Sequence, residues 1–355
     1  MIEKLKELNE KGYIRGVRHL EHPLTVWNYT PIVQFDNVFG DYPLLRLCRG
    51  LVTDDNGNIV GRGFEKFYNW EEHGGGELPC STDKIEVTKK LDGSLLIVFR
   101  YNGRVVYTTR GSFYSDQAIA ASKLFNELYD ESWIEDGKSY LFEFIGPENR
   151  IVVSYPKMNL VHLALLDNST GYDLERDSRF ELVPVIEVEG GIMGNNLYEA
   201  LKPLNIPNEE GFVIRQVSDG TFPDWRCKIK FEDYVRLHKI ITGVTSTKVW
   251  EILKSGQGIE SMLEICPDEF NNWLRKVKAD LENQYSEIES MAIQIYNEVK
   301  DIETRKEQAV YILNKNRTVS GVVFKMLDNR PHNEVIWNMI KPTSMEQPWS
   351  MKEVG

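Results

Sequence analysis

The segment "TKKLDGSL", Thr88 to Leu95, sets two lysines ahead of an Asp-Gly-Ser and an apolar run. Read as one extended run from Ile85 to Arg100, its side chains alternate faces, so Lys90 shares a face with Asp92 and Ser94 while Lys89 points the other way. Lys90 is therefore the candidate nucleophile. Gly93 permits a bend and a close backbone approach to a ligand beside that amine. A lysine ordinarily titrates near 10.4, and bringing it to about 7 takes roughly 4 to 5 kcal/mol of differential stabilisation. Burial or neighbouring cations are the expected source.

Further ionisable groups follow in order. Glu143 sits in the strand-like "LFEF", Glu210 opens the strand of "EEGFVIR", and Lys228 and Lys230 share one face of "CKIKF". The order Lys-x-Asp-Gly, acidic strand, Glu-Gly-aromatic-Val and Lys-x-Lys resembles the motif series of the covalent nucleotidyltransferases, which are DNA ligases, RNA ligases and mRNA capping enzymes. Flanking stretches narrow the resemblance. "NYTPIV", "CRGLV", "FEKFYNW", "TTRGSFYSDQA", "LFEFIGPENRIVVSY" and "KIKFEDYVRLH" are together similar to the phage T4 RNA ligase 1 family of ATP-dependent RNA ligases, from about residue 26 to about residue 240.

That resemblance implies a three-step reaction. Lys90 takes AMP from ATP, the AMP passes to an RNA 5′-phosphate, and a 3′-hydroxyl then displaces it to seal the strand. The phosphoramidate on a lysine is a high-energy bond from which AMP can leave again. A triphosphate needs fixed cations on rigid strands, and Arg49, Lys66, Arg110, Lys228 and Lys230 fall on the matching positions. By resemblance, Arg49 and Lys66 meet the triphosphate or the RNA phosphate, and Lys228 and Lys230 the α-phosphate and leaving group. Arg110 stands where the T4 enzyme is expected to carry lysine, and its guanidinium fork changes the contact. The resemblance also brings Mg²⁺ or Mn²⁺, with Glu210 as the first choice for the metal and Glu143 at the adenosine ribose or, alternatively, the metal. Tyr29, Tyr68, Tyr234 and Gly93 match positions near the nucleotide and phosphates. The expected substrate is RNA bearing 5′-phosphate and 3′-hydroxyl ends. Broken tRNA is the suggested case, handled in a phage-type host cytoplasm alongside a separate end-healing kinase/phosphatase.

The elements that must position these groups read as α+β. Between residues 26 and 235 short apolar or alternating runs are separated by turn signals, with hairpins at Tyr101-Asn102-Gly103-Arg104 and Ser218-Asp219-Gly220. Helices are expected at Ser115 to Asp130 and Leu197 to Leu204. From about 240 the pattern turns helical: Trp273, Val277, Leu281, Tyr285, Ile288, Ala292, Ile295 and Val299 mark one long amphipathic helix, and shorter ones follow at Lys306 to Leu313, Val319 to Leu327 and Asn333 to Ile340. The reading is an antiparallel-sheet nucleotidyltransferase domain over 1–240 and an all-helical domain over 241–355. The Gly74 to Gly76 loop and the tail after Pro342 read as flexible.

Composition bounds the partners. A 355-residue chain with 41% hydrophobic residues and no run of about 18 apolar residues reads as soluble and intracellular, without a membrane span. The net charge of −12 disfavours coating nucleic acid by bulk electrostatics, so any polyanion site must be a local cluster. Cys48, Cys80, Cys227 and Cys266 form no CxxC pair and read as ordinary thiols. His19 and His22 lack a carboxylate-bearing metal pattern, the Gly74 loop lacks a P-loop ending, and the long helix reads as bundle core in a monomer rather than a coiled coil. The alternatives are a DNA ligase or capping enzyme, which would end in an all-β OB-fold, and a non-catalytic RNA-end-binding relative, which would need no nucleophile.

Overall fold

The computed structural model describes residues 1–73, 84–188, 195–218, 220, 223–259 and 268–343. These fall into two compact units that divide between Arg236 and Leu237. The glycine loop, the tail beyond Thr343, Asp219, Cys80 and Cys266 lie outside the described residues. Cys48 and Cys227 are buried free thiols.

The first unit opens with α1 (Ile2–Glu10), which turns Leu5 and Leu8 inward. An antiparallel sheet follows, of β1 (Ile14–Arg18), β2 (Leu24–Tyr29), β3 (Arg49–Asp54) and β4 (Ile59–Gly61), with α2 (Pro31–Phe35) and α3 (Leu44–Leu47) between β2 and β3. Next come β5 (Tyr68–Asn69), β6 (Lys84–Lys90), β7 (Ser94–Tyr101), β8 (Arg104–Thr109), α4 (Asp116–Leu128), β9 (Lys138–Ile145), β10 (Asn159–Asp167), β11 (Asp173–Leu174), β12 (Val185–Ile186), α5 (Asn195–Leu201), β13 (Gly211–Val217) and β14 (Trp225–Lys230). They form two five-stranded sheets, ordered β11-β10-β9-β7-β8 and β12-β6-β13-β14-β5. Among these strands only the β14 pairing with β5 is parallel, so the unit is α+β as its alternating runs required. The Asn102-Gly103 turn takes φ angles of 49° and 79°, which match the twist of a two-residue hairpin. Ser115 caps α4 by accepting from the Ala118 N–H. Beneath α4, Phe125 packs with Leu96, Tyr140, Phe142 and Phe180 in the principal aromatic core.

Two departures from regular strand geometry matter for the site. The run from Ile85 to Arg100 is not one strand: the chain leaves one sheet at Lys90 and enters another at Ser94. Lys90 and Ser94 therefore share no strand face, contrary to the alternation argument. Gly93 makes the switch possible, because a Cβ there would lie 2.2 Å from the Phe144 carbonyl oxygen. Its close approach is to β9, besides any ligand. The second departure is a bulge in β3, where Trp27 pairs with Leu51 but Asn28 pairs with Arg49. The skipped residue, Gly50, has φ of 89°. Without the bulge Arg49 would fall on the Leu51 face, against α1; the extra residue moves it to the opposite face.

The second unit follows α6 (Glu232–Gly243), which carries the boundary. It comprises α7 (Ser246–Lys254), α8 (Asp268–Val299), α9 (Arg305–Lys315), α10 (Ser320–Leu327) and α11 (Asn333–Met339). Ala292, Ile295 and Val299 of α8 meet Ile312, Val319, Val322, Val323 and Ile336 in its core. The expected stripe on α8 is buried or half-buried throughout, and Leu274, which the stripe omitted, is fully buried with it. Thr245 and Thr304 cap α7 and α9 by accepting the Lys248 and Glu307 N–H groups.

A Gly50→Ala variant tests the bulge. A Cβ there would meet Ile97 Cδ1 at 2.4 Å in a backbone conformation that disfavours side chains. We expect a loss of about 1–3 kcal/mol in urea denaturation of the full chain; unchanged stability would contradict the assignment.

Candidate active site

Cross-strand register builds the floor of the site. In the sheet of β6, β13 and β14, Lys90 pairs with Gly211 and Gly211 with Lys230; Thr88, Val213 and Lys228 form the next row, and Glu86, Arg215 and Arg226 the third. Paired residues project to the same face. Eight of these side chains, all but the glycine, line a cleft of about 730 Å³. Facing them across the cleft are Glu143 of β9 and Arg49 of β3, with Gly93, Arg110 and Tyr29. Two strands distant in sequence thus place Lys90 and Lys230 on either side of a residue with no side chain.

Beneath that gap lies Glu210, 3% exposed. One carboxylate oxygen meets Lys90 Nζ at 2.7 Å and the other meets Lys230 Nζ at 2.8 Å. Its neighbour Glu209 pairs instead with Lys89, so the two lysines of the motif have separate partners. Burial would raise the Glu210 carboxyl, but Lys90 and Lys230 hold it below the usual carboxylate range. Burial likewise opposes charge on Lys90, yet Glu210 and Glu143 outweigh it and keep the ammonium above the ordinary lysine range. This corrects the expectation of an amine already brought toward neutrality: without nucleotide, the nucleophile candidate is held protonated. The lysine that burial does depress is Lys228, reinforced by the positive charges of Lys90, Lys66, Lys230 and Arg49, and it falls to about 7. Burial pushes Glu143 up to about 8, with Glu210 and Asp92 adding to the rise and Lys90 opposing it.

Asp92 is not a chemical group of the cleft. It is 2% exposed, and its Oδ2 accepts the backbone N–H groups of Val152 and Val153 at 2.7 and 2.8 Å. Tyr234 donates its hydroxyl to Asp92 Oδ1 at 2.7 Å, and the Tyr155 hydroxyl accepts the Asp92 N–H. Asn149 donates to the Phe144 carbonyl at 2.6 Å. The "NRIVVSY" stretch therefore clamps the loop that follows Lys90. Tyr234, matched by resemblance to the nucleotide's surroundings, is buried here against Asp92, with Lys230 Nζ 5.0 Å from its ring centre.

The remaining expected residues divide between two cavities. Arg49 and Lys228 both approach the Phe67 ring, at 5.7 and 5.6 Å from its centre, and the Arg110 guanidinium lies 5.9 Å from the Tyr29 ring. All five of these residues line the cleft. Lys66 and Tyr68 line an adjoining cavity of about 560 Å³ instead. Lys66 is 8% exposed, with the rings of Tyr68, Phe39 and Tyr29 at 5.2, 5.8 and 6.0 Å. Residues that sequence reasoning missed are Glu86, Arg176 and Arg215, an ion-paired cluster at one end of the cleft, and Arg15 and Asn28 on its wall. Only cross-strand register brings them in, and no local motif marks it.

Among the described residues, no group of three or more His, Cys, Asp or Glu side chains is disposed to hold a metal. Both Glu210 oxygens are engaged by lysines, and Asp92 is engaged by backbone and Tyr234. Among the described residues, Glu143 alone presents to the cleft a carboxyl in no ion pair, which fits a cation held chiefly by substrate phosphates and water.

A model of the RNA ligase family of the T4 RNA ligase 1 type matches residues 47–235. That is more than half of the chain, and the chain belongs to this family. A protein of Autographa californica nuclear polyhedrosis virus, provisionally named a bifunctional polynucleotide kinase/RNA ligase, is 28% identical over 270 residues, 66% of this chain and 36% of that protein. The chain thus spans about a third of that relative's length. A Thermovibrio ammonificans protein, provisionally named an RNA ligase, is 26% identical over 291 residues, 78% of this chain and 76% of that one. Among solved structures, an archaeal ATP-dependent RNA ligase, form 2, is 15% identical with a TM-score of 0.49, covering 93% of this chain and 96% of that one.

The depressed Lys228 has a thermodynamic signature. Its folded value of about 7 lies below the unfolded one, so between these the unfolded chain binds more protons and stability rises with pH. Below about 7 the full penalty applies. Lys228→Met should therefore raise the melting temperature by several degrees near pH 6, with the gain shrinking toward about pH 10. A gain that is constant with pH would show that Lys228 carries no such strain.

Proposed function

We propose that the chain is an ATP-dependent RNA ligase that works through a lysyl-AMP on Lys90. The observation that carries this reading is the Lys90 amine at the floor of a cationic cleft, paired with a buried glutamate that it shares with Lys230. In the first step the Lys90 nitrogen forms a bond to the α-phosphorus of ATP, the bond to pyrophosphate breaks, and the amine loses its proton. An oxygen of the RNA 5′-phosphate then takes the AMP, returning the amine. Finally a 3′-hydroxyl attacks that 5′-phosphorus, AMP leaves and the strand is sealed.

Each residue has a physical task. Arg49, Arg110, Lys228 and Lys230 offset phosphate charge from fixed positions, which is where electrostatic stabilisation is most effective. Lys66 adds positive charge from the adjoining cavity. Glu210 holds Lys90 in place as an ammonium and must be drawn off before the nitrogen can attack. Glu143, with Glu210 once released from its lysines, would hold the divalent cation, Mg²⁺ or Mn²⁺, which supplies positive charge for the phosphates. Glu143 near its raised value also suits a hydrogen bond to the ribose. The division of labour follows the fold: residues to about 240 carry nucleotidyl transfer, and the helical remainder takes part in choosing the RNA. Substrate ends of this chemistry call for an end-healing kinase/phosphatase upstream, as the name of the viral relative couples the two, and broken tRNA is the candidate substrate.

The test is the intact mass of the protein after incubation with ATP and magnesium, beside Lys90→Ala. One AMP is expected on the first and none on the second, and RNA with a 5′-phosphate should discharge it. A folded protein that never gains AMP would sink the mechanism.

A further inference from the structure

One wall of the cleft has a polar row that the three-step reading leaves unused. Arg15 of β1 pairs with Asn28 of β2, and Asn28 with Arg49 of β3. All three line the cleft. The row runs from Arg49 in the interior to Arg15 nearer solvent. Asn28 is 8% exposed, and its Oδ1 has no hydrogen-bond partner. Leaving such an acceptor unmet costs about 1–3 kcal/mol, so a ligand donor is the natural completion. Nearby Arg18 is paired with Asp55, whereas Arg15 has no carboxylate partner among the described residues.

The chain leaves β2 through Thr30 and Pro31, which also line the cleft, into α2. Pro31 and Ile32 lie four and three residues before Phe35, the helical spacings that bring each of them beside it. Val33 is buried, but Ile32 is 50% exposed and Phe35, at 92%, is the most exposed large apolar side chain among the described residues. Phe35 stands about 6 Å along the helix from Pro31. An aromatic ring in water one helical turn from a residue that lines the cleft can serve as a stacking platform for a base.

Resting on the ligase reading, we propose that the Arg15–Asn28 wall and the Phe35 platform seat the terminal nucleotide of the strand that supplies the 3′-hydroxyl. The choice of strand follows from the unmet group being an acceptor. A 3′-terminal ribose brings two hydroxyl donors, whereas a 5′-phosphate end brings acceptors. In this seat Asn28 accepts from the terminal ribose 2′-hydroxyl, Arg15 meets the adjacent phosphodiester one strand spacing away, and Phe35 stacks on a base. The wall would then distinguish RNA from DNA at the end to be joined.

The experiment compares two rates for the full chain: adenylylation of Lys90 by ATP, and single-turnover sealing of a donor RNA that already carries AMP. The acceptor ends either in ribose or in 2′-deoxyribose. For Asn28→Ala, sealing of the ribose acceptor should fall about tenfold or more beyond any change in adenylylation. Its preference for ribose should collapse toward one. Arg15→Ala and Phe35→Ala should raise the acceptor concentration needed for half-maximal sealing, and Phe35→Trp should restore it. Three results would overturn the proposal: an Asn28→Ala protein that keeps the wild-type ribose preference, one whose adenylylation falls as far as its sealing, or one impaired only in transfer of AMP to the RNA 5′-phosphate. A wild-type protein that seals the pre-adenylylated donor without itself gaining AMP would refute the lysyl-AMP reading and leave this seat intact.

Discussion

The buried Glu210 carboxylate, divided between Lys90 and Lys230, is the interaction on which the site depends. A carboxylate that deep is tolerable only because two half-buried ammonium groups offset its charge. Removing the carboxylate would leave two half-buried ammonium groups unpaired across the width of one glycine, and removing either lysine would leave a buried anion underpaired. The pair also fixes chemistry. It places the Lys90 amine on the lining of the cleft while keeping it protonated, and a protonated amine is no nucleophile. The same residue is thus both anchor and restraint.

Around this centre the fold places several unusual local features. Gly93 lets the chain leave one sheet and join another within a few residues of Lys90, and Asp92 is pinned by Val152, Val153 and Tyr234 so that the switch is rigid. The Gly50 bulge turns Arg49 to the cleft face. Each decides where a side chain of the cleft stands. They also explain how a chain of net charge −12 can offer a polyanion site: its positive charges are concentrated by register on one sheet face and one wall, so bulk charge is a poor guide to the field inside the cleft.

Much of this was legible in the sequence. Lys90, Glu143, Glu210, Lys228 and Lys230 are local signatures in chain order, and the α8 stripe and the Asn102-Gly103 hairpin follow from periodicity and turn chemistry. What escaped was non-local. The apolar run after Ser94 concealed a change of sheet, because alternation continues through the break. Lys66 and Tyr68 sit close in sequence to cleft residues, but β5 carries them to an adjoining cavity. Arg15 and the Glu86–Arg215 cluster have no motif, and Asn28 opens "NYTPIV" without any local sign of its role, since cross-strand register alone brings these side chains to the cleft. The helical unit gave up its elements but no site, charges of both signs being interspersed along α8 and α9.

The most direct test of the central claim is the pH dependence of Lys90 labelling by an amine-reactive reagent in the nucleotide-free protein, mapped by peptide mass spectrometry, with Glu210→Gln beside the wild type. Labelling of Lys138, which pairs with Glu135 and not with Glu210, and retained melting behaviour serve as internal controls. Loss of the carboxylate should lower the pH at which Lys90 reacts, because the largest of the charges that offset burial is then gone. An unchanged or higher midpoint in Glu210→Gln would contradict the view that this one buried carboxylate holds the nucleophile in its protonated state.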